Sequence, residues 1–192
     1  AKRPHGRTAP RFLRGRAAVW LDTGGVPNCS DQRAWKNPGE AEVIRRLLAA
    51  LDPIPGDGDE GFALLTPYNE QIEQLRRTDL PPWAASRIFT TDGFQGREAE
   101  IVVVSLVRSV RRSPDRPEAN IGYLVSPNRV NVLLSRARTL LVVVGRFELF
   151  VQQPNCAPDR GDIAFWRSVT DTFREQDAVV DALAALGRGG AW

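Results

Sequence analysis

Three short stretches of the chain bring together residue types that could do chemistry. The first is Leu64-Leu65-Thr66-Pro67-Tyr68-Asn69-Glu70-Gln71. An apolar run ends in Thr-Pro, and a helical pattern follows. Helix N-termini expose unpaired N–H groups at the positive end of the dipole, so they suit phosphate, and Thr66 adds a hydroxyl. A threonine followed by proline is also an ordinary way to begin a helix. The second is Thr90-Thr91-Asp92-Gly93-Phe94-Gln95-Gly96-Arg97-Glu98. Its glycines allow sharp turns and close approach of a ligand to the backbone. Gln95 donates and accepts, Arg97 offers a planar fork, and Glu98 can accept from sugar hydroxyls. On chemistry alone, a polar loop reads the same way. The third is Ile121-Gly122-Tyr123-Leu124 followed by Ser126-Pro127-Asn128-Arg129-Val130-Asn131-Val132-Leu133-Leu134-Ser135-Arg136-Ala137-Arg138. Arg129 and Arg136 are seven residues apart, so a helix would carry both on one face, two turns apart. Arginines aimed outward beside strand ends suit phosphate clamping; a plain surface helix also carries arginine.

The elements that must position these stretches follow from periodicity. Residues 17–22 form a short apolar run before Thr-Gly-Gly, a buried strand and a turn. Asn37-Pro38-Gly39-Glu40 opens a helix: Asn37 caps, Pro38 fits the first turn, and Glu40 lies near the positive end. Ala41, Ile44, Leu47, Leu48 and Leu51 then give it one apolar face. Further strands are expected at 62–65, 87–90, 100–107 and 140–145, and helices from Pro67 and over 130–137. A break is expected at 78–82 and polar loops over 52–61 and 111–120. Residues 162–186 read as one or two amphipathic helices with Phe165, Trp166 and Phe173 in the core, and 187–192 as a loose tail. Apolar strands alternating with helices predict an α/β fold with a parallel sheet wrapped by helices. Ligands in that class bind at the carboxyl ends of strands, where all three stretches are expected to sit.

Composition narrows the classes. The chain has 192 residues, 42% of them apolar, enough for one domain with a buried core. No apolar run approaches a membrane span, and the start shows no signal peptide. Two distant cysteines, Cys29 and Cys156, and the single His5 make neither a disulfide framework nor a zinc pattern, so no metal ligands are named. A reduced, cytoplasmic setting is expected. Residues 1–16 carry Lys2, Arg3, Arg7, Arg11, Arg14 and Arg16 without an acid. They read as an irregular basic arm or linker that could hold phosphate.

In this order and spacing the three stretches resemble motifs IV, V and VI of superfamily 1 helicases, in the subgroup of the nonsense-mediated-decay helicase. The likeness rests on Thr66-Pro67-Tyr68 with Gln71; on Thr91 to Glu98 with Val107-Arg108-Ser109; and on Ile121-Gly122-Tyr123-Leu124 with Arg129 through Ala137. Leu21-Asp22-Thr23, Asn37 and Glu40-Ala41 add to it, over about residues 17–150. Asn128, Leu133 and Ser135 depart from an arginine, a small residue and a threonine.

The resemblance implies a RecA-like second motor domain over 17–150, with a C-terminal helical extension over 151–192. In such helicases two RecA-like domains clamp ATP with Mg²⁺, and single-stranded DNA or RNA crosses both. Arg136 would be the arginine finger on the γ-phosphate. Glu98 would hold the ribose, with Gln95, Gly96, Arg97 and Arg129 near the nucleotide. Thr66, Pro67, Tyr68, Thr91 and Asp92 would lie near the nucleic acid, and Asn131 would organise its neighbours. The chain has no G-x-x-x-x-G-K-[S/T], and Lys2 and Lys36 cannot complete one. Asp59-Glu60 precedes its apolar strand and is rejected as a Walker B pair. The Walker half is therefore expected on a first motor domain, upstream in cis or in trans. The alternative is a non-catalytic scaffold of helicase ancestry that grips nucleic acid or a partner. By itself the chain is expected to hydrolyse ATP no faster than a buffer blank; a phosphate-release assay showing turnover would contradict this half-site reading.

Overall fold

Long apolar runs with no polar alternation must be covered on both faces, and they form the middle of a sheet. The computed structural model describes residues 10–32, 35–51, 61–113, 116–151 and 161–187. Among these residues are six strands: β1 (Ala18–Asp22), β2 (Phe62–Thr66), β3 (Ile88–Thr90), β4 (Ala99–Ser105), β5 (Ala137–Gly145) and β6 (Val179–Asp181). Their order is β3-β2-β4-β5-β1-β6, and every pair is parallel. All six carboxyl ends therefore lie on one edge and all amino ends on the other. Among the described residues eight helices surround them: α1 (Pro38–Ala50), α2 (Asn69–Arg76), α3 (Pro82–Ala85), α4 (Pro117–Ile121), α5 (Pro127–Leu134), α6 (Phe147–Val151), α7 (Gly161–Glu175) and α8 (Ala182–Leu186). This is the RecA-like α/β architecture that the sequence predicts.

Alternate strand residues face two separate cores. On one side Val19, Leu21, Phe62, Leu64, Val103 and Val142 pack against α1, α2, α3 and α8. On the other, Trp20, Leu65, Val102, Val104 and Val143 meet α5, α6, α7 and Phe94. Trp20 centres the second core. Its ring contacts Phe147, Phe150, Trp166 and Phe173 at centroid distances of 5.0–6.3 Å, and its Nε1 donates to the Gly145 carbonyl.

Four expectations change. The helix expected over 130–137 begins at Pro127 and stops at Leu134, and Ala137 starts β5. The Ala99 N–H donates to the Arg136 carbonyl, and this ladder bond draws the chain out of the helix. The segment read as purely helical supplies β6, which pairs with β1 at Trp20–Asp22. Three residues are too few to show periodicity. The polar loop over 111–120 ends in α4. Within the basic arm, residues 11–13 form a 3₁₀ turn with Leu13 fully buried, and Arg16 pairs with Asp177 at 3.1 Å. Residues 1–9, most of the 52–61 loop with Asp59 and Glu60, Cys156 and the tail over 188–192 lie outside the described residues. Among the described residues no helix is long and apolar enough to cross a membrane. Trp20→Ala should cost about 3–5 kcal/mol, since it empties the centre of one core; urea denaturation measures this, and a loss near zero would refute that placement.

Candidate functional site

The sheet separates the predicted site residues into two groups on opposite edges. At the carboxyl edge, β2 ends at Thr66 and β3 at Thr90. The Thr91 N–H donates to the Thr66 carbonyl at 3.2 Å, so the two threonines are neighbours. Both side chains are buried, and among the described residues neither hydroxyl has a hydrogen-bond partner. A buried unmade hydrogen bond costs about 1–3 kcal/mol, so the pair is a costly feature of this edge. Pro67 and Tyr68 follow; Tyr68 caps α2 through its backbone and is half-buried against Arg108. The exposed Asp92 accepts from the Tyr123 hydroxyl at 3.0 Å. Arg129 stacks on the Tyr123 ring at 4.4 Å. Arg129 therefore belongs with Asp92 at the carboxyl edge and is not brought together with Arg136.

Residues 91–98 then cross to the amino edge. Phe94 pins the crossing, buried on the face that carries α5. Gly96 turns at φ +78°, which favours glycine. The Arg97 guanidinium lies 4.8 Å from the centroids of Phe89 and of Phe94. Gln95 and Glu98 are exposed. Glu98 stands immediately before β4, and Arg136 immediately before β5. Ala99 and Ala137 are register partners, so the two functional candidates are next to each other on one edge. This places Gln95–Glu98 and Arg136 at the amino ends of strands, and corrects the expectation that all three stretches gather at the carboxyl ends. The Arg136 Nε donates to the Val132 carbonyl at 2.9 Å, at the negative end of α5. Among the described residues its Nη groups have no protein partner. Glu98 accepts from Arg138 at 3.2 Å, with both side chains about half exposed. A surface pair of this kind is worth about 0–1 kcal/mol, so a sugar hydroxyl could displace it at small cost.

The two groups of polar residues thus lie at opposite edges of one parallel sheet, joined by residues 91–98. Residues 7–148 match the family described as AAA domain. The chain belongs to this family, among the superfamily 1 helicases related to the nonsense-mediated-decay helicase. It is 35% identical over 115 residues to the "DNA-binding protein SMUBP-2" of Rattus norvegicus, covering 59% of this chain and 11% of that protein. It is 30% identical over 141 residues to the "DNA polymerase alpha-associated DNA helicase A" of Saccharomyces cerevisiae, covering 68% and 19%. It is 25% identical over 173 residues to the "Regulator of nonsense transcripts 1" of Dictyostelium discoideum, covering 85% and 12%. The chain spans about a tenth to a fifth of the length of these relatives.

Behind the carboxyl edge of the helicase domain lies a buried polar network that sequence reasoning only touched. Asn37 caps α1, accepting from the Glu40 N–H at 3.1 Å, and its amide donates to the Val107 carbonyl. Glu40 is fully buried and accepts from the Ser105 hydroxyl at 2.7 Å and the Val107 N–H at 2.9 Å. Gln71, quoted as part of a motif, bridges the Asn37 backbone and Ser105. Val107 is held at φ +69°, which turns the chain so that Arg108 points inward. Arg108 donates to the Asn120 carbonyl and pairs with the buried Asp31 at 3.5 Å. Burial draws Arg108 below the usual arginine range, while Tyr68 and Asp31 oppose the shift. Gly122, at φ +53°, is needed because a β-carbon would sit 3.2 Å from the Tyr68 hydroxyl and 3.3 Å from Arg108 Nη1. Arg138 was the other omission; it lies two residues after Arg136, at the start of β5, and pairs with Glu98 and Glu100. Asn131, expected to organise neighbours, presents an exposed side chain.

Burial pushes the Glu40 carboxyl up to about 8 from 4.5, against the hydrogen bonds from Ser105 and Val107. The folded state thus holds this proton more tightly than the unfolded chain. Its stabilising contribution is complete below about pH 4.5 and is lost as pH rises through about 8. Glu42, held down to about 2 by Arg45 and then Arg46, loses its contribution only as pH falls below its ordinary range, so the windows do not overlap. Glu40→Gln should flatten the decline in stability between about pH 5 and about pH 8.5, by on the order of a few kcal/mol. Thermal melting across that range checks it; equal slopes in both proteins would contradict it.

Proposed function

We propose that this chain is the second motor domain of an ATP-dependent helicase or translocase acting on single-stranded DNA or RNA. ATP lies between its amino edge and a first RecA-like domain, joined upstream in cis or supplied in trans. The observation that carries this reading is the adjacency of Glu98 and Arg136 on one sheet edge, one strand spacing apart at paired positions.

In this mechanism the Arg136 Nη groups reach the γ-phosphate oxygens across the cleft and stabilise the charge that develops there. The Nε bond to the Val132 carbonyl orients the guanidinium beforehand. Glu98 exchanges its contact with Arg138 for the ribose hydroxyls. Gln95, Gly96 and Arg97 line the same edge, with Arg97 held by stacking on Phe89 and Phe94. Mg²⁺ would accompany the nucleotide and would draw its ligands mostly from the first domain. The amino edge offers Glu98 and Glu100, both engaged by Arg138, and no group of three metal-ligating side chains occurs among the described residues. The strand's phosphates run along the opposite edge, past Thr66, Pro67, Tyr68, Thr91, Asp92 and Arg129. Residues 91–98 and α5 both span the sheet, so a shift at the nucleotide moves the nucleic-acid edge.

In the full-length protein, Arg136→Ala should lower ATP turnover about 10³- to 10⁵-fold while circular dichroism and thermal melting stay unchanged. Near-normal turnover in the folded variant would refute the finger.

A further inference from the structure

Trp35 belongs to none of the three stretches. Yet it is the large apolar side chain left most open, 37% exposed, among the described residues. Its backbone sits at φ +57°, a left-handed conformation that bulky residues rarely adopt. A small bridge enforces it: the Gln32 N–H donates to the Lys36 carbonyl at 2.8 Å, and the Trp35 N–H donates to the Gln32 carbonyl at 3.1 Å. Below the indole lies the buried Arg108 guanidinium, 3.8 Å from the ring centroid; Arg112 lies at 5.0 Å. The indole is thus propped outward on a prebuilt support instead of being folded into the core.

Trp35 also starts a row. Its ring is 6.2 Å from Tyr68, and Tyr68 is 6.5 Å from Tyr123, which carries Arg129. This row follows the carboxyl edge past the unpartnered Thr66 and Thr91 hydroxyls. Three guanidinium groups flank it, against two carboxylates. One of these, Asp31, is buried and tied to Arg112 at 2.6 Å; the other, Asp92, takes the Tyr123 hydroxyl. Arg108 is buried beneath the indole and Arg112 is tied to Asp31, which leaves the exposed Arg129 for phosphate; aromatic rings beside such a group suit one ligand class, an unpaired polynucleotide, whose bases stack on rings while a phosphate meets Arg129.

We propose that Trp35 is a base-stacking residue, taking a nucleobase of the single strand on its exposed indole, with Tyr68 and Tyr123 extending the platform. This rests on the carboxyl edge being the nucleic-acid path. It adds a contact from the β1–α1 connection, outside the recognised stretches. Every base has a π face, so the contact favours single strands over duplex without selecting sequence.

The test uses the full-length protein and fluorescence anisotropy with labelled oligo(dT) and oligo(U) over a range of salt. Trp35→Ala and Trp35→Leu should each bind about five- to 100-fold more weakly. Trp35→Phe should retain most of the affinity. The slope of affinity against salt should not change in any of the three, because no phosphate contact is removed. Arg129→Ala should lower both affinity and slope. In the wild-type protein, 5-iodouracil-substituted oligonucleotide should photocrosslink at Trp35, which needs no variant to fold. Wild-type affinity for Trp35→Ala, or crosslinks that never include residue 35, would overturn the stacking role. If Arg129→Ala also bound normally with an unchanged slope, the carboxyl-edge path would fall with it.

Discussion

The buried carboxyl group of Glu40 is the constraint on which the carboxyl edge depends. Placing such a group out of water is costly unless hydrogen bonds replace the solvent. Here the Ser105 hydroxyl and the Val107 N–H supply them, both from the end of β4. The start of α1 is thereby fixed to the end of the central strand. The same attachment holds Val107 in its left-handed turn, and that turn sends Arg108 inward. From there one guanidinium touches Asp31, Trp35, Tyr68 and the carbonyl of Asn120. Three separate chain segments, the β1–α1 connection, the start of α2 and α4, thus take their positions from one buried acid and the arginine that follows it.

The contrast with Glu98 is a matter of burial. Glu98 pairs with Arg138 in the open, where water competes and the bond is weak. Glu40 has no water to turn to, so its partners are permanent parts of the fold. A residue that must exchange partners during a catalytic cycle belongs in the first environment. A residue that must hold a scaffold belongs in the second. The chain has a glutamate in each environment, and the distance from solvent decides how firmly each is held.

A parallel sheet also dictates how the two edges communicate. Each strand must be followed by a connection that returns the chain to the starting edge. Between β3 and β4 that return takes only residues 91–98, with a single short 3₁₀ turn, and one buried ring, Phe94, secures it. Thr91 and Asp92 therefore lie at one edge, and Gln95 and Glu98 at the other. The short helix α5 makes the same journey between Arg129 and Arg136. Connections this short have little slack, which makes them suitable struts between the two ends of the molecule.

Much of the fold was legible in the residues themselves. Apolar runs such as residues 100–107 report burial on both faces, and Asn37-Pro38-Gly39-Glu40 reports a capped helix, because both signals are local. The family was legible too, since order and spacing along the chain survive folding. What the linear chain does not carry is which edge each residue reaches. Arg129 and Arg136 share a helical stripe on paper, but the ladder bond from Ala99 ends the helix at Leu134 and leaves the arginines at opposite edges. The three-residue β6 shows no pattern of its own and exists through pairing with β1. Trp35 gave no signal because its exposure depends on Arg108, far away in sequence. Local chemistry sets the type of each element, but only long-range pairing and burial decide what lies beside what.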